Sequence, residues 1–302
     1  MAARYDTRAS FNAASAWQTF DIATLSPLLG GFAGGVFDGR YVYFVPGNGS
    51  SARDGVVRYD TTVPFDAPTS WATFGLKAVD ARANTFLGAV FDGRFVYLIP
   101  HGPNSTDPST RDGVVARLDT QGSFTATSAW STFDTTTLTA NAKGFFGGGF
   151  DGRYLYLVPN ETASGDPGSV TARFDTQASF PLATSWTTTD LKVLGAFAAE
   201  FSGAAFDGKY MHYAPSLIAY ADGGANGRPV RVDTTAVNTV DAAASWSAFD
   251  LASANPGAVG FQGAVFDGKY VYYVPGPWSA VAARFDARTL PALAKGYSGS
   301  FL

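Results

Sequence analysis

Three motifs that recur in step predict an all-β chain, a five-bladed β-propeller of four-stranded antiparallel blades closed by strands from both termini. Phe-Asp-Gly followed by Arg or Lys and an aromatic residue begins at Phe37, Phe91, Phe150, Phe206 and Phe266, at intervals of 54–60 residues. Arg-x-Asp begins at Arg4, Arg58, Arg117, Arg173, Arg231 and Arg284, and a tryptophan preceded by Ser or Ala stands at Trp17, Trp71, Trp130, Trp186 and Trp246. Self-similarity at a fixed period marks stacked supersecondary units, and four short strands in about 50 residues make one blade.

The first complete unit shows how each strand is specified. Gly31 to Phe37 is a short glycine-rich strand, A, and the Asp38-Gly39 that follows predicts a two-residue type I′ turn, which needs positive φ at both central positions. Arg40 to Val45 is strand B, rich in aromatic and β-branched residues, and Pro46 ends it. Gly55 to Tyr59 reads as strand C, and Ser70 to Phe74, which alternates like a half-buried outer strand, as strand D. No segment of useful length has helical periodicity.

Residues 1–302 therefore read as one propeller domain, with inner strands near 31–37, 85–91, 144–150, 200–206 and 260–266. Residues 1–21 are expected to supply the closing strand, Ser15-Ala16-Trp17 lying as strand D beside the hairpin from Phe261 to Val274. Arg4-Tyr5-Asp6 and Arg284-Phe285-Asp286 both qualify as strand C of that closing blade, and Gly296 to Phe301 is similar to a sixth inner strand. A module cut from a longer array would account for both.

The strand order resembles the kelch repeat: an inner strand, a Gly-containing turn, an aromatic strand, a strand ending in Tyr-Asp, then a tryptophan strand. The Gly-Gly pair that ends the second kelch strand is replaced here by Val45-Pro46, Ile99-Pro100, Val158-Pro159, Ala214-Pro215 and Val274-Pro275. The resemblance implies a kelch-like propeller.

Composition narrows function. The net charge is −4 and charged residues make up 15% of the chain, with no basic cluster to neutralise a row of phosphates, so no nucleic-acid partner is expected. No apolar run approaches the roughly 18–20 residues that span a bilayer as a helix, so no membrane insertion is expected. Cysteine is absent and there are only two histidines, His101 and His212, so neither a metal site nor a cofactor is expected. Low charge with abundant Ala, Ser, Thr and Gly suits a bacterial protein that is secreted or displayed at the cell surface.

The repeated aspartates, Arg-x-Asp pairs and tryptophans read as turn, tie and packing residues. Function is expected on the face carrying the B–C and D–A loops, where the units differ. Glutamate occurs only at Glu161 and Glu200. Glu200 stands where other units have Gly31, Thr85, Gly144 and Gly260, at the predicted tunnel mouth, and His212 replaces a tyrosine that recurs at Tyr43, Tyr97, Tyr156 and Tyr272. Hairpin arithmetic from a two-residue Asp207-Gly208 turn sets His212 opposite Gly203 and Glu200 opposite Pro215, which argues against an acid–base dyad. His212 then reads as a buried stand-in for tyrosine.

The ligand-binding candidates are Glu200, Tyr220, Asp222, Trp278, His101 and Asn104, with amides at Asn160 and Asn226. The first expectation is a binding module for a glycan or small molecule, lectin-like and not an enzyme. A second is a glycoside-acting enzyme in which Glu200 pairs with Asp222, Asp166 or Asp107, since that chemistry needs two carboxyls about 5–10 Å apart. A third is a structural or protein-interaction repeat of a larger surface protein.

Overall fold

The computed structural model of the chain describes residues 1–27, 29–47, 55–102, 111–163, 166–216, 227–236, 243–277 and 279–288. Four sheets have four antiparallel strands each, ordered A to D as in the sequence. The first holds β3 (Phe32–Phe37), β4 (Tyr41–Pro46), β5 (Gly55–Asp60) and β6 (Trp71–Gly75); β1 (Ala2–Tyr5) and β2 (Trp17–Phe20) precede it. The second holds β7 (Phe86–Phe91), β8 (Phe95–Pro100), β9 (Val114–Asp119) and β10 (Trp130–Asp134). The third holds β11 (Phe145–Phe150), β12 (Tyr154–Pro159), β15 (Val170–Asp175) and β16 (Trp186–Asp190), with a small ribbon, β13 (Glu161–Ala163) and β14 (Asp166–Pro167), in its B–C loop. The fourth holds β17 (Phe201–Phe206), β18 (Tyr210–Pro215), β19 (Val230–Asp233) and β20 (Trp246–Ala248). The last sheet has three strands, β21 (Phe261–Phe266), β22 (Tyr270–Pro275) and β23 (Ala283–Asp286).

The inner strands β3, β7, β11, β17 and β21 lie side by side in chain order, giving a propeller-like array. Glycine makes that approach feasible. A β-carbon on Gly88 would sit 3.2 Å from the Gly147 Cα, and one on Gly147 would sit 3.3 Å from the Gly203 Cα. Both residues also have positive φ, where a side chain is strained.

Closure differs from the expectation. β2 pairs with β1 in a separate hairpin, and β23, not β1, is the strand beside β22. A β-carbon on Gly263 would meet only the Ser202 carbonyl, at 3.8 Å, and nothing of the first unit. The β1–β2 hairpin instead packs on the first blade, where Phe20 stacks on Trp71 with centroids 4.5 Å apart and Arg4 donates to the Tyr59 hydroxyl at 2.7 Å. Gly296 to Phe301 lies outside the described residues.

The hairpin turn is also different. Phe206 pairs with Met211 and Ala205 with His212, so Gly208-Lys209 is the two-residue loop and Asp207 flanks it. Gly208 has φ +97 while Lys209 is not in the left-handed region, the pattern of a II′ turn rather than I′. The cause is the aspartate, whose Oδ1 accepts the amides of Lys209 and Tyr210 at 2.8 and 2.7 Å. A bulge between Phe201 and Ala204 then shifts the register by one, setting Glu200 opposite Ser216.

Two aromatic devices bind neighbouring blades. The strand-D phenylalanine of one blade stacks on the tryptophan of the next, Phe74 on Trp130 at 5.0 Å and Phe133 on Trp186 at 4.7 Å. The Arg-x-Asp arginine lies between two rings, Arg117 standing 4.2 Å from Phe95 in its own blade and 4.3 Å from Phe180 in the next. Its aspartate serves the turn, Asp119 receiving Arg94 at 2.7 Å. Each aromatic pair contributes about 0.5–1.5 kcal/mol beyond area burial, and each cation–π contact about 0.5–2 kcal/mol.

Candidate functional site

The residue after the proline of strand B donates its backbone N–H to the residue that precedes strand A. Gly47 bonds Gly31, His101 bonds Thr85, Asn160 bonds Gly144, Ser216 bonds Glu200 and Gly276 bonds Gly260. Both ends of each such bond lie on the loop face. The accepting residue is left-handed in four of the five units, with φ of 63 at Gly31 and Gly144, 65 at Gly260 and 58 at Glu200. Glu200 is the one non-glycine residue with positive φ among the described residues. Left-handed backbone is costly for a residue bearing a β-carbon, and such strain concentrates at functional sites.

Glu200 is buried, with 1% of its surface exposed, and neither of its carboxyl oxygens has a hydrogen-bond partner. Burial, reinforced by the charge on Glu161, raises its pKa to about 8, so the group is mainly a neutral carboxylic acid at pH 7. The two glutamates of the chain are thus brought together from different blades. Glu161 is in turn held by buried Arg111, which reaches it from the B–C loop of the second blade at 2.5 Å.

His101 completes the group. Asn160 donates through Nδ2 to the Phe201 carbonyl at 3.0 Å, which leaves its Oδ1 facing His101 Nε2 at 3.4 Å. The histidine therefore carries its proton on Nε2, and its buried Nδ1 is an acceptor without a partner. Burial, with the Arg111 charge nearby, lowers the pKa of His101 to about 3, so it stays neutral. Arg111 also lines a cleft of about 390 Å³ together with Arg82, Asp112, Asp134, Thr136 and Lys143. Burial raises Asp112 to about 7.

Of the residues singled out in the sequence, Glu200, His101 and Asn160 meet here. Tyr220, Asp222, Trp278, Asn104, Asn226 and Asp107 lie outside the described residues. Asp166 is exposed and accepts from the Thr162 hydroxyl at 3.0 Å. Arg111 and Glu161 were not among the binding candidates, although Glu161 stood out as one of only two glutamates. His212 occupies the tyrosine position and donates from Nε2 to Asp207 at 2.8 Å, as the Tyr97 hydroxyl donates to Asp92 at 2.7 Å. Among the described residues no cluster of His, Cys, Asp or Glu could hold a metal ion, and no helix is long and apolar enough to cross a membrane.

Together the sheets and the loop-face cluster define a propeller-like repeat protein with a polar site built from three blades. No protein family matches the sequence, and no curated protein does. Among solved structures the chain is similar to PorZ, a surface component of the type-IX secretion system of Porphyromonas gingivalis, at 11% identity and a TM-score of 0.47. That match covers 80% of this chain and 25% of PorZ, so the chain spans about a quarter of that protein. It is also similar to hydrazine synthase of Kuenenia stuttgartiensis, at 12% identity and a TM-score of 0.39, covering 84% and 83% of the two chains. The computationally designed protein Ika8 matches at 8% identity and a TM-score of 0.38, over 84% and 70%.

Proposed function

We propose that the chain is a kelch-like propeller module that binds a neutral, hydroxyl-rich ligand, a carbohydrate, on its B–C and D–A loop face above Glu200. One observation carries the reading: a strained, buried carboxyl without a partner occupies a position that three other units give to glycine. A protonated carboxyl offers one donor and one acceptor, and His101 Nδ1 adds an acceptor. That set complements hydroxyl groups better than charged ones. Secretion or surface display in a bacterium fits the low-charge composition.

A glycan array followed by titration calorimetry across pH tests this. Affinity is expected to fall as pH rises through about 8, where Glu200 loses the proton it donates. Glu200→Gln, permanently neutral, is expected to keep neutral-pH affinity and lose the pH dependence. No bound glycan, or a glycan indifferent to both pH and Glu200→Gln, would overturn the proposal.

A second reading, a glycoside-acting enzyme, is favoured by the nearness of Glu161 to Glu200, since a carboxylic acid with raised pKa beside a second carboxylate is the equipment of that reaction. It is distinguished in the same variant: turnover would drop by orders of magnitude in Glu200→Gln while binding persisted.

A further inference from the structure

We infer that Arg111 is the positioning residue of the loop-face site: its buried guanidinium holds Glu161 as a carboxylate, and so places the site's proton on Glu200 and keeps His101 without one. The inference deepens the glycan-binding proposal and rests on it for its purpose, since the donor and the acceptor offered to a ligand are the two groups whose protonation Arg111 sets. Arg111 belongs to the second blade, Glu161 to the third and Glu200 to the fourth. The setting is therefore a property of the assembled array and not of any one unit.

The geometry starts from an ion pair shut away from water. The Arg111 side chain is 2% exposed, and its Nη2 donates to Glu161 Oε2 at 2.5 Å. A charge this deep persists only with a partner, so the two groups stay ionised together. Backbone bonds fix where the carboxylate stands. Glu161 donates its N–H to the Gly144 carbonyl at 3.0 Å. Gly168, just past the small ribbon, donates to the Asn160 carbonyl at 2.8 Å and accepts the Glu200 N–H at 2.8 Å, which ties the loop of Glu161 to Glu200. Gly144 is part of the fit, because a β-carbon there would run into the Glu161 carbonyl and stand 3.4 Å from Arg111 Cδ.

Two neighbouring carboxyls in a dry site do not both ionise at neutral pH, and the one that faces a cation keeps the charge. Glu161 has the guanidinium. Glu200 has burial, the Glu161 charge beside it and no hydrogen bond at either oxygen, so it holds the proton. The same guanidinium acts on His101, where its charge adds to burial in disfavouring the imidazolium. The other charged groups on these loops are engaged elsewhere. Asp166 is exposed and accepts from the Thr162 hydroxyl, Asp112 accepts the Val114 amide, and Lys143 and Arg82 line the cleft.

The chain has two glutamates and two histidines, which makes the test direct. With carbon-13 at the glutamate carboxyls and nitrogen-15 in the imidazoles, each residue gives its own NMR signals, assigned through Glu161→Gln and His212→Tyr. In the full chain without ligand, the Glu200 signal is expected to titrate at about 8, with Glu161 a carboxylate and His101 neutral throughout the neutral range. Arg111→Met, in a chain shown to be folded by circular dichroism, is expected to set the Glu161 and His101 signals moving within that range. Arg111→Lys, which keeps the charge, is expected to retain the original pattern. If Arg111→Met does not fold, Glu161→Gln decides: loss of the neighbouring charge is expected to lower the Glu200 midpoint by about one unit. Unmoved Glu161 and His101 signals in folded Arg111→Met, the same change in the Lys and Met variants, or an unmoved Glu200 midpoint in Glu161→Gln would overturn the inference. The expected titrations in a chain that binds no glycan would uphold the placement of the proton and overturn the glycan reading alone.

Discussion

At the scale of the residue, Glu200 has two costs, a left-handed backbone and a buried carboxyl. Its pKa is raised in the fold, so between pH 4.5 and about 8 the folded chain holds a proton that the unfolded chain has released. Stability therefore falls as pH rises through that window. Glu200→Gly removes both costs and restores the residue that Gly31, Gly144 and Gly260 supply elsewhere. It is expected to raise the melting temperature at pH 8 by roughly 2–8 °C, for a gain of about 1–3 kcal/mol, while abolishing ligand binding. An unchanged or lower melting temperature in differential scanning calorimetry would show that the carboxyl has stabilising contacts. Glu200 was legible as a break in the repeat, and so was Glu161. Their meeting was not, because it depends on how adjacent blades set their loops, which no spacing within one unit records. Arg111 was invisible for the same reason, its partner lying 50 residues away in another blade.

At the scale of the element, the A–B hairpin shows where a dipeptide signal misleads. Asp-Gly was read as the loop itself, yet the aspartate side chain accepts two amides and a tyrosine or histidine donor, which fixes it outside the loop. Burial works against ionisation of Asp207, but the His212 hydrogen bond and the Tyr210 and Lys209 amides hold its pKa below the usual range. Strand identity and order were legible because each strand carries its own composition. Register was not, because a one-residue bulge leaves no mark in an alternation of small and aromatic residues. Gly208→Val is expected to cost about 1–3 kcal/mol, seen as a lower melting temperature. With φ +97 and open space around the missing β-carbon, the whole effect is backbone strain. Unaltered melting would mean that the turn can adopt another type.

At the scale of the whole molecule, the sequence announced five A–B hairpins, and the described residues contain those five. It left two candidates for strand C of the last sheet, because Arg4-Tyr5-Asp6 and Arg284-Phe285-Asp286 share the same local chemistry. β23 follows β22 by a short connection, whereas β1 would have to close a loop around nearly the entire chain, an entropic cost that grows with loop length. Chain connectivity, not composition, separates them.

The stacked phenylalanine–tryptophan pairs also rank the joints of the array. Between the third and fourth blades Thr189 stands where Phe74 and Phe133 stand in their strands, and no aromatic residue occurs between Asp233 and Trp246 to receive Arg173. Arg173 stacks on Tyr154 in its own blade, at 4.3 Å. In a chain whose units hold only their neighbours, load passes through every joint in series, and the weakest yields first. Pulled from its two ends, the molecule should behave like a cable with a built-in fuse. In an optical trap the first rips are expected beyond Asp190, at this seam and at the next one, where Phe249 is 58% exposed and has no stacked tryptophan among the described residues, while the first three blades remain intact.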